Sequence, residues 1–148
     1  KELLEFARNN NPSGECAFIL SPELNNQVNC VGKTSSLDFS SREAVNMLTY
    51  NRDLYVMHNH PKNSSFSTTD IIFLLQHDSV KTLSIVKHNG RIEQLTKSYK
   101  YSGANALNDF WQMLNAVDRN QSIDRINKEY DKIVKDFISK EWFTYEKT

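Results

Sequence analysis

Chain breakers are scarce in this sequence: four glycines and three prolines in 148 residues. That scarcity excludes long flexible linkers, low-complexity repeats and a largely disordered chain. Cysteine is also rare, with only Cys16 and Cys30 and no CxxC spacing. A disulfide framework is excluded, and both residues fall in strand-like segments. They read as buried free thiols of a reducing, cytoplasmic compartment, with a single bridge between them as the alternative. Neither sign of charge dominates, since Lys+Arg and Asp+Glu stand at 18 each. No global basic field therefore argues for nucleic acid. No apolar run approaches the roughly 20 residues that cross a bilayer, so no membrane is expected as a partner, and no signal peptide is visible. The first residue is Lys1 rather than Met, as expected of a piece of a longer protein.

What the chain does contain is alternation of strand-like and helix-like runs. Residues 1–8 have Leu3, Leu4 and Ala7 at helical spacing, and the Asn-Pro-Ser-Gly-rich stretch 9–14 ends that run. Residues 15–20 form an apolar strand headed by Glu15. Asn25-Asn26 marks a turn, and residues 27–31 return as its hairpin partner. A polar connection over 32–38 leads to a helix with Ala44, Val45, Met47 and Leu48 on one face. Ser40 and Glu43 offer a capping box for it. Residues 54–57 are a third strand; the capping-type residues 67–70 open a helix that 71–76 continue, and 80–86 are a fourth strand. Asn89-Gly90 predicts a two-residue type I′ hairpin to a fifth strand, 91–96.

Beyond Ser102 the period changes to helical. Ala106, Leu107, Phe110, Trp111, Leu114 and Val117 form one stripe; Ile123, Ile126, Tyr130, Ile133, Val134, Phe137 and Ile138 form another. The expected fold class is α/β (α+β), a mixed sheet flanked by helices, with a C-terminal helical pair. The expected division is a metal-binding domain over 1–100 and a helical extension over 101–148 packed on it. Trp142, Phe143 and Tyr145 are expected either as an exposed docking patch or as the start of a further element.

The chemistry concentrates in residues 58–70, between a buried strand and a buried helix. Residues two apart on a strand face the same way, so His58 and His60 can aim two imidazoles at one ion. Pro61 keeps His60 extended. Asp70, in the first turn of the next helix, can bring a carboxylate to the same point. Two nitrogens and one oxygen suit Zn²⁺, and three protein ligands leave a fourth position open, the arrangement of catalytic sites. The plainer alternative is a solvated pair of histidines followed by an ordinary helix cap at Ser67. His77 and His88, at a helix end and beside a hairpin turn, read as surface residues.

His58-x-His60-Pro61, then Ser67-x-x-Asp70, with Glu15 heading an upstream buried strand, resembles the JAB/MPN (JAMM) metalloprotease motif. The His-Asn-His-Pro wording is closest to the RadC-like branch and to JAB-type domains of phage and polymorphic-toxin proteins. The resemblance runs over residues 14–97. It implies a mixed sheet flanked by helices, with His58, His60 and Asp70 as zinc ligands, Glu15 as general base and Ser67 as oxyanion donor. From His60 to Asp70 the loop is one residue shorter than the motif's usual spacing, which leaves Ser65 as an alternative to Ser67. Glu23 and Glu43 are the weaker substitutes for Glu15.

The function so implied is zinc-dependent hydrolysis of an amide or isopeptide bond in a protein or peptide substrate. A non-catalytic JAB-type scaffold and a RadC-like DNA-associated module are the alternatives, within a cytoplasmic, phage-encoded or secreted toxin protein. Lys87, Arg91 and the lysines between 97 and 100 read as a solvated face rather than a nucleic-acid patch.

Overall fold

The apolar alternation of the sequence closes into one sheet with helices on both faces. The computed structural model describes residues 1–32 and 37–148. Among them six strands pair: β1 (Cys16–Leu20), β2 (Gln27–Val31), β3 (Leu54–His60), β4 (Val80–Lys87), β5 (Ile92–Lys97) and β6 (Phe143–Lys147), in the order β2-β1-β3-β4-β5-β6. The helices are α1 (Glu2–Asn10), α2 (Arg42–Tyr50), α3 (Thr68–Gln76), α4 (Gly103–Asn115) and α5 (Ile123–Ile138). Only β3 and β4 run parallel. Parallel neighbours need a crossover, and α3 supplies it. The fold is therefore mixed α/β, as the periodicity indicates.

Strand alternation divides the core in two. Ala17, Ile19, Leu54, Val56 and Leu83 join the larger cluster with residues of α3, α4 and α5. Cys16, Phe18 and Val86 join Leu3 and Ala7 of α1 in a smaller one on the other face. Burial on both faces explains why β1 reads as a near-continuous apolar run; β4 is buried on both faces as well, although Thr82 and Ser84 alternate with its apolar residues. It also settles the cysteines. Cys16 and Cys30 are free and buried, and they belong to different clusters on the two faces, so no bridge joins them.

Three local expectations are corrected, and one of two alternatives for the C-terminal segment is decided. The α2 cap is Ser41, whose side chain accepts from the Ala44 N–H; Ser40 instead bonds Asp38, so the box with Glu43 does not form. The β4–β5 connection is four residues, His88 to Arg91, rather than two. Only Gly90 has positive φ, at 85°, and the Gly90 and Arg91 backbones close onto Lys87. Lys97 is buried rather than solvated: its Nζ donates to the His77 carbonyl at 2.8 Å and lies over the Tyr101 ring. Phe143 is buried too, and with Tyr145 it belongs to β6, the outer partner of β5. The tail is thus two helices and a strand. The 32–38 connection lies mostly outside the described residues.

The helices beyond residue 102 share the main core. Phe110 of α4 and Phe137 of α5 meet with ring centroids 4.8 Å apart, and Phe137 lies 5.6 Å from Phe143. Both helices pack against α3, which begins at the candidate site. No helix among the described residues is long and apolar enough to cross a membrane.

Candidate metal centre

On β3, the face that buries Leu54 and Val56 continues as His58 and His60, at the strand's C-terminal end. Parallel pairing with β4 leaves the next segment free to turn back, and it enters α3 at Ser67. There the backbone is locked by a reciprocal cap. Ser67 Oγ accepts from the Asp70 N–H at 3.2 Å, and Asp70 Oδ2 accepts from the Ser67 N–H at 2.8 Å. The cap turns the Asp70 carboxylate towards the histidines instead of outwards.

Three side-chain atoms then converge. His58 Nε2 lies 2.9 Å from Asp70 Oδ1, His60 Nε2 lies 3.3 Å from Asp70 Oδ2, and the two Nε2 atoms are 2.9 Å apart. All three residues are buried, and their ligand atoms lie within 4.8 Å of one another. The His60 tautomer follows from its other nitrogen. Nδ1 lies 2.9 Å from the Ser64 carbonyl, which can only accept, so Nδ1 carries a proton and Nε2 is the nitrogen turned towards the group. A second-sphere carbonyl on Nδ1 is the usual support of a metal-ligating histidine. His58 Nδ1 is buried without a hydrogen-bond partner among the described residues.

Two imidazole nitrogens and a carboxylate that converge on one point are held together by shared protons or by a cation. With two nitrogens, one oxygen and almost no exposure, His58, His60 and Asp70 form a group that could hold a metal ion. Burial alone would raise the Asp70 carboxyl, but the two imidazoles bring it well below the usual carboxylate range. Burial alone would lower His60, but the hydrogen bond and charge of Asp70 leave it raised.

Glu15 faces the same site by strand parity. The antiparallel register pairs Ala17 with His58, so two residues further along the same register Glu15 falls opposite His60. Its backbone is held on both sides. Asn59 Oδ1 accepts from the Cys16 N–H at 2.6 Å, and Asn59 Nδ2 donates to the Gly14 carbonyl at 3.2 Å. The Glu15 carbonyl itself accepts from the Gly32 N–H at 2.9 Å. Burial raises the Glu15 carboxyl, against the pull of His58 and His60.

These groups line a cleft of about 480 Å³ that contains Glu15, His58, His60, Ser67 and Asp70. Its other wall is apolar: Leu37, Phe39, Ile72, Phe73 and Leu83, with the Phe39 and Phe73 rings stacked at 4.6 Å. Ser65 does not line this cleft, and its hydroxyl donates to Glu93 at 2.7 Å. Glu23 and Glu43 are exposed and lie outside the cleft. His88 is exposed; His77 is half-buried, and its Nδ1 meets the Phe73 carbonyl at 2.8 Å.

Asn59, Ser64 and Glu93 are the polar residues around the site to which sequence reading assigned no role. Asn59 lies inside the motif, but its partners are 43 and 45 residues away and leave no local signature. Glu93 gives a faint signal, a carboxylate inside an otherwise half-buried strand. In comparisons with family models, curated proteins and solved structures, nothing matches this chain.

Proposed function

We propose that the protein is a zinc-dependent hydrolase of amide bonds in a protein or peptide substrate, of the JAB/MPN (JAMM) type. The observation that carries this reading is the presence of Glu15, a carboxylate raised by burial, in the same cleft as the His58–His60–Asp70 group. His58, His60 and Asp70 would hold the ion, and three protein ligands are the number typical of catalytic zinc. Bound there, zinc supplies Lewis acidity, which makes water a nucleophile near neutral pH and polarises a substrate carbonyl.

The chain's own groups do the rest. Glu15 accepts the proton of the attacking water and returns it to the leaving amine. A carboxyl raised above its ordinary value is better matched to that shuttle than a fully solvated one. Ser67 Oγ is already an acceptor from the Asp70 N–H, so its own proton remains available to the oxygen that gains charge during attack. That favours Ser67 over Ser65, whose hydroxyl is turned to Glu93. The apolar wall of the cleft excludes water and strengthens these electrostatic contacts.

The test is hydrolysis of internally quenched peptides and of a lysine-linked isopeptide by the zinc-loaded protein. Glu15→Gln should lower kcat by about 100-fold or more while zinc still binds. Equal hydrolysis by wild type and Glu15→Gln would remove Glu15 from the mechanism.

A further inference from the structure

Residues 64–67 belong to no helix or strand, yet they carry the Ser67 N–H and hydroxyl that meet Asp70. What anchors this segment is a buried carboxylate from β5. Glu93, 4% exposed, accepts on Oε1 from the Ser65 hydroxyl at 2.7 Å and from the Tyr145 hydroxyl, while its Oε2 is ion-paired with Lys87 Nζ at 2.7 Å. Burial alone would raise the Glu93 carboxyl, but Lys87, Tyr145 and Ser65 bring it below its ordinary value, so it stays a charged acceptor. Tyr145 also meets Phe66 edge-on, with centroids 6.5 Å apart, and Phe66 is itself buried in the main core. Strands β4, β5 and β6 therefore each contribute one side chain to a node that grips two consecutive residues of the site segment.

Placing a carboxylate in this interior carries a desolvation cost that an apolar contact would avoid. In return it gives a fixed direction to Ser65, two residues before the capping serine. We infer that Glu93 and Tyr145 are positioning residues: through Ser65 and Phe66 they set the Ser67 N–H against Asp70 Oδ2 and its hydroxyl in the cleft. This makes β6 part of the site. The inference rests on reading His58, His60 and Asp70 as a metal centre, because Asp70 is the ligand whose orientation the node controls.

The experiment compares wild type with Tyr145→Phe, Ser65→Ala and the double variant. Tyr145→Phe keeps the ring and removes one hydroxyl, so it preserves the contact with Phe66. Three quantities are read: zinc affinity by competition with a chromophoric chelator, the absorption bands of the cobalt-loaded protein, and hydrogen exchange at the Ser67 amide. Loss of second-sphere support should weaken zinc binding about 10-fold in each single variant. The cobalt bands should shift and the Ser67 amide should exchange faster. The double variant should lose less than the product of the singles, because both act through one carboxylate. Zinc affinity within about two-fold of wild type, an unchanged cobalt spectrum and unchanged Ser67 exchange would overturn the inference, and a lowered Tm alone would then mark the node as structural only. If wild type bound no zinc, the metal reading would fail by itself. Ser67 exchange would still decide the node: faster in Tyr145→Phe supports it, unchanged overturns it.

Discussion

Asn59 lies between the two histidines, and its amide bridges the backbone on either side of Glu15. Replacing it with Ala leaves a buried N–H and a buried carbonyl without that partner. Asn59→Ala should cost about 1–3 kcal/mol of stability, read by urea unfolding, and should lower hydrolysis more than it weakens zinc binding. An opposite order, with zinc lost and turnover per bound zinc preserved, would separate Asn59 from Glu15. Lys97 makes a second prediction at this scale. Burial pushes its ammonium down from 10.5 to about 8, against the pull of Asp78. Between those values the unfolded chain binds the proton that the folded chain has released, so this residue's contribution to stability rises with pH. The stability difference between wild type and Lys97→Met should therefore move in favour of wild type as pH rises from 8 to 10.5. A difference that stays flat across that window would contradict the buried position of the ammonium.

At the scale of the element, the site depends on where a strand ends and a helix begins. The exit of β3 presents two imidazoles, and the cap of α3 presents a carboxylate and a hydroxyl. Ser67 thus has a structural duty and a proposed chemical one, which a matched pair of substitutions separates. Ser41 caps α2 through the same kind of bond, away from the cleft. Ser41→Ala and Ser67→Ala should each lower stability by about 1 kcal/mol. Only Ser67→Ala should also lower kcat, and equal kcat in the two variants would reduce Ser67 to a cap. Much of this scale was legible beforehand. The apolar run before His58 and the Ser-x-x-Asp before an apolar helix carry local signals, so His58, His60, Ser67 and Asp70 could be named from spacing. Glu15 could be named only as the carboxylate that heads a buried strand and through the motif resemblance, because no local signature marks it. Asn59, Glu93 and Tyr145 could not, since their partners are set by sheet register between 28 and 52 residues away. The α2 cap lies one residue past the capping-box spacing, because Ser40, which has Glu43 three residues on, is bonded to Asp38, and Ser41, followed at that spacing by Ala44, accepts from the helix N–H instead.

For the whole molecule, the hidden element was β6. Its sequence, Phe-Thr-Tyr-Glu-Lys, is short, ends in charges and follows a long helical stretch, so local pattern does not distinguish a strand from a frayed tail. Pairing with β5 decides the matter, because it buries Phe143 beside Phe137 and sends Tyr145 to Glu93. Sheet and cap thus bring two imidazoles and a carboxylate together, with their ligand atoms within 4.8 Å of one another. The most direct test of the central claim is the zinc stoichiometry of purified, chelator-stripped protein, measured by titration at neutral pH and checked against His60→Ala. One zinc should bind per wild-type chain, stabilising the fold by about 2.7 kcal/mol at 100 times Kd, and His60→Ala should lose both the binding and the stabilisation. Wild type that takes up no stoichiometric zinc, or a His60→Ala variant that takes up as much as wild type, would contradict that claim.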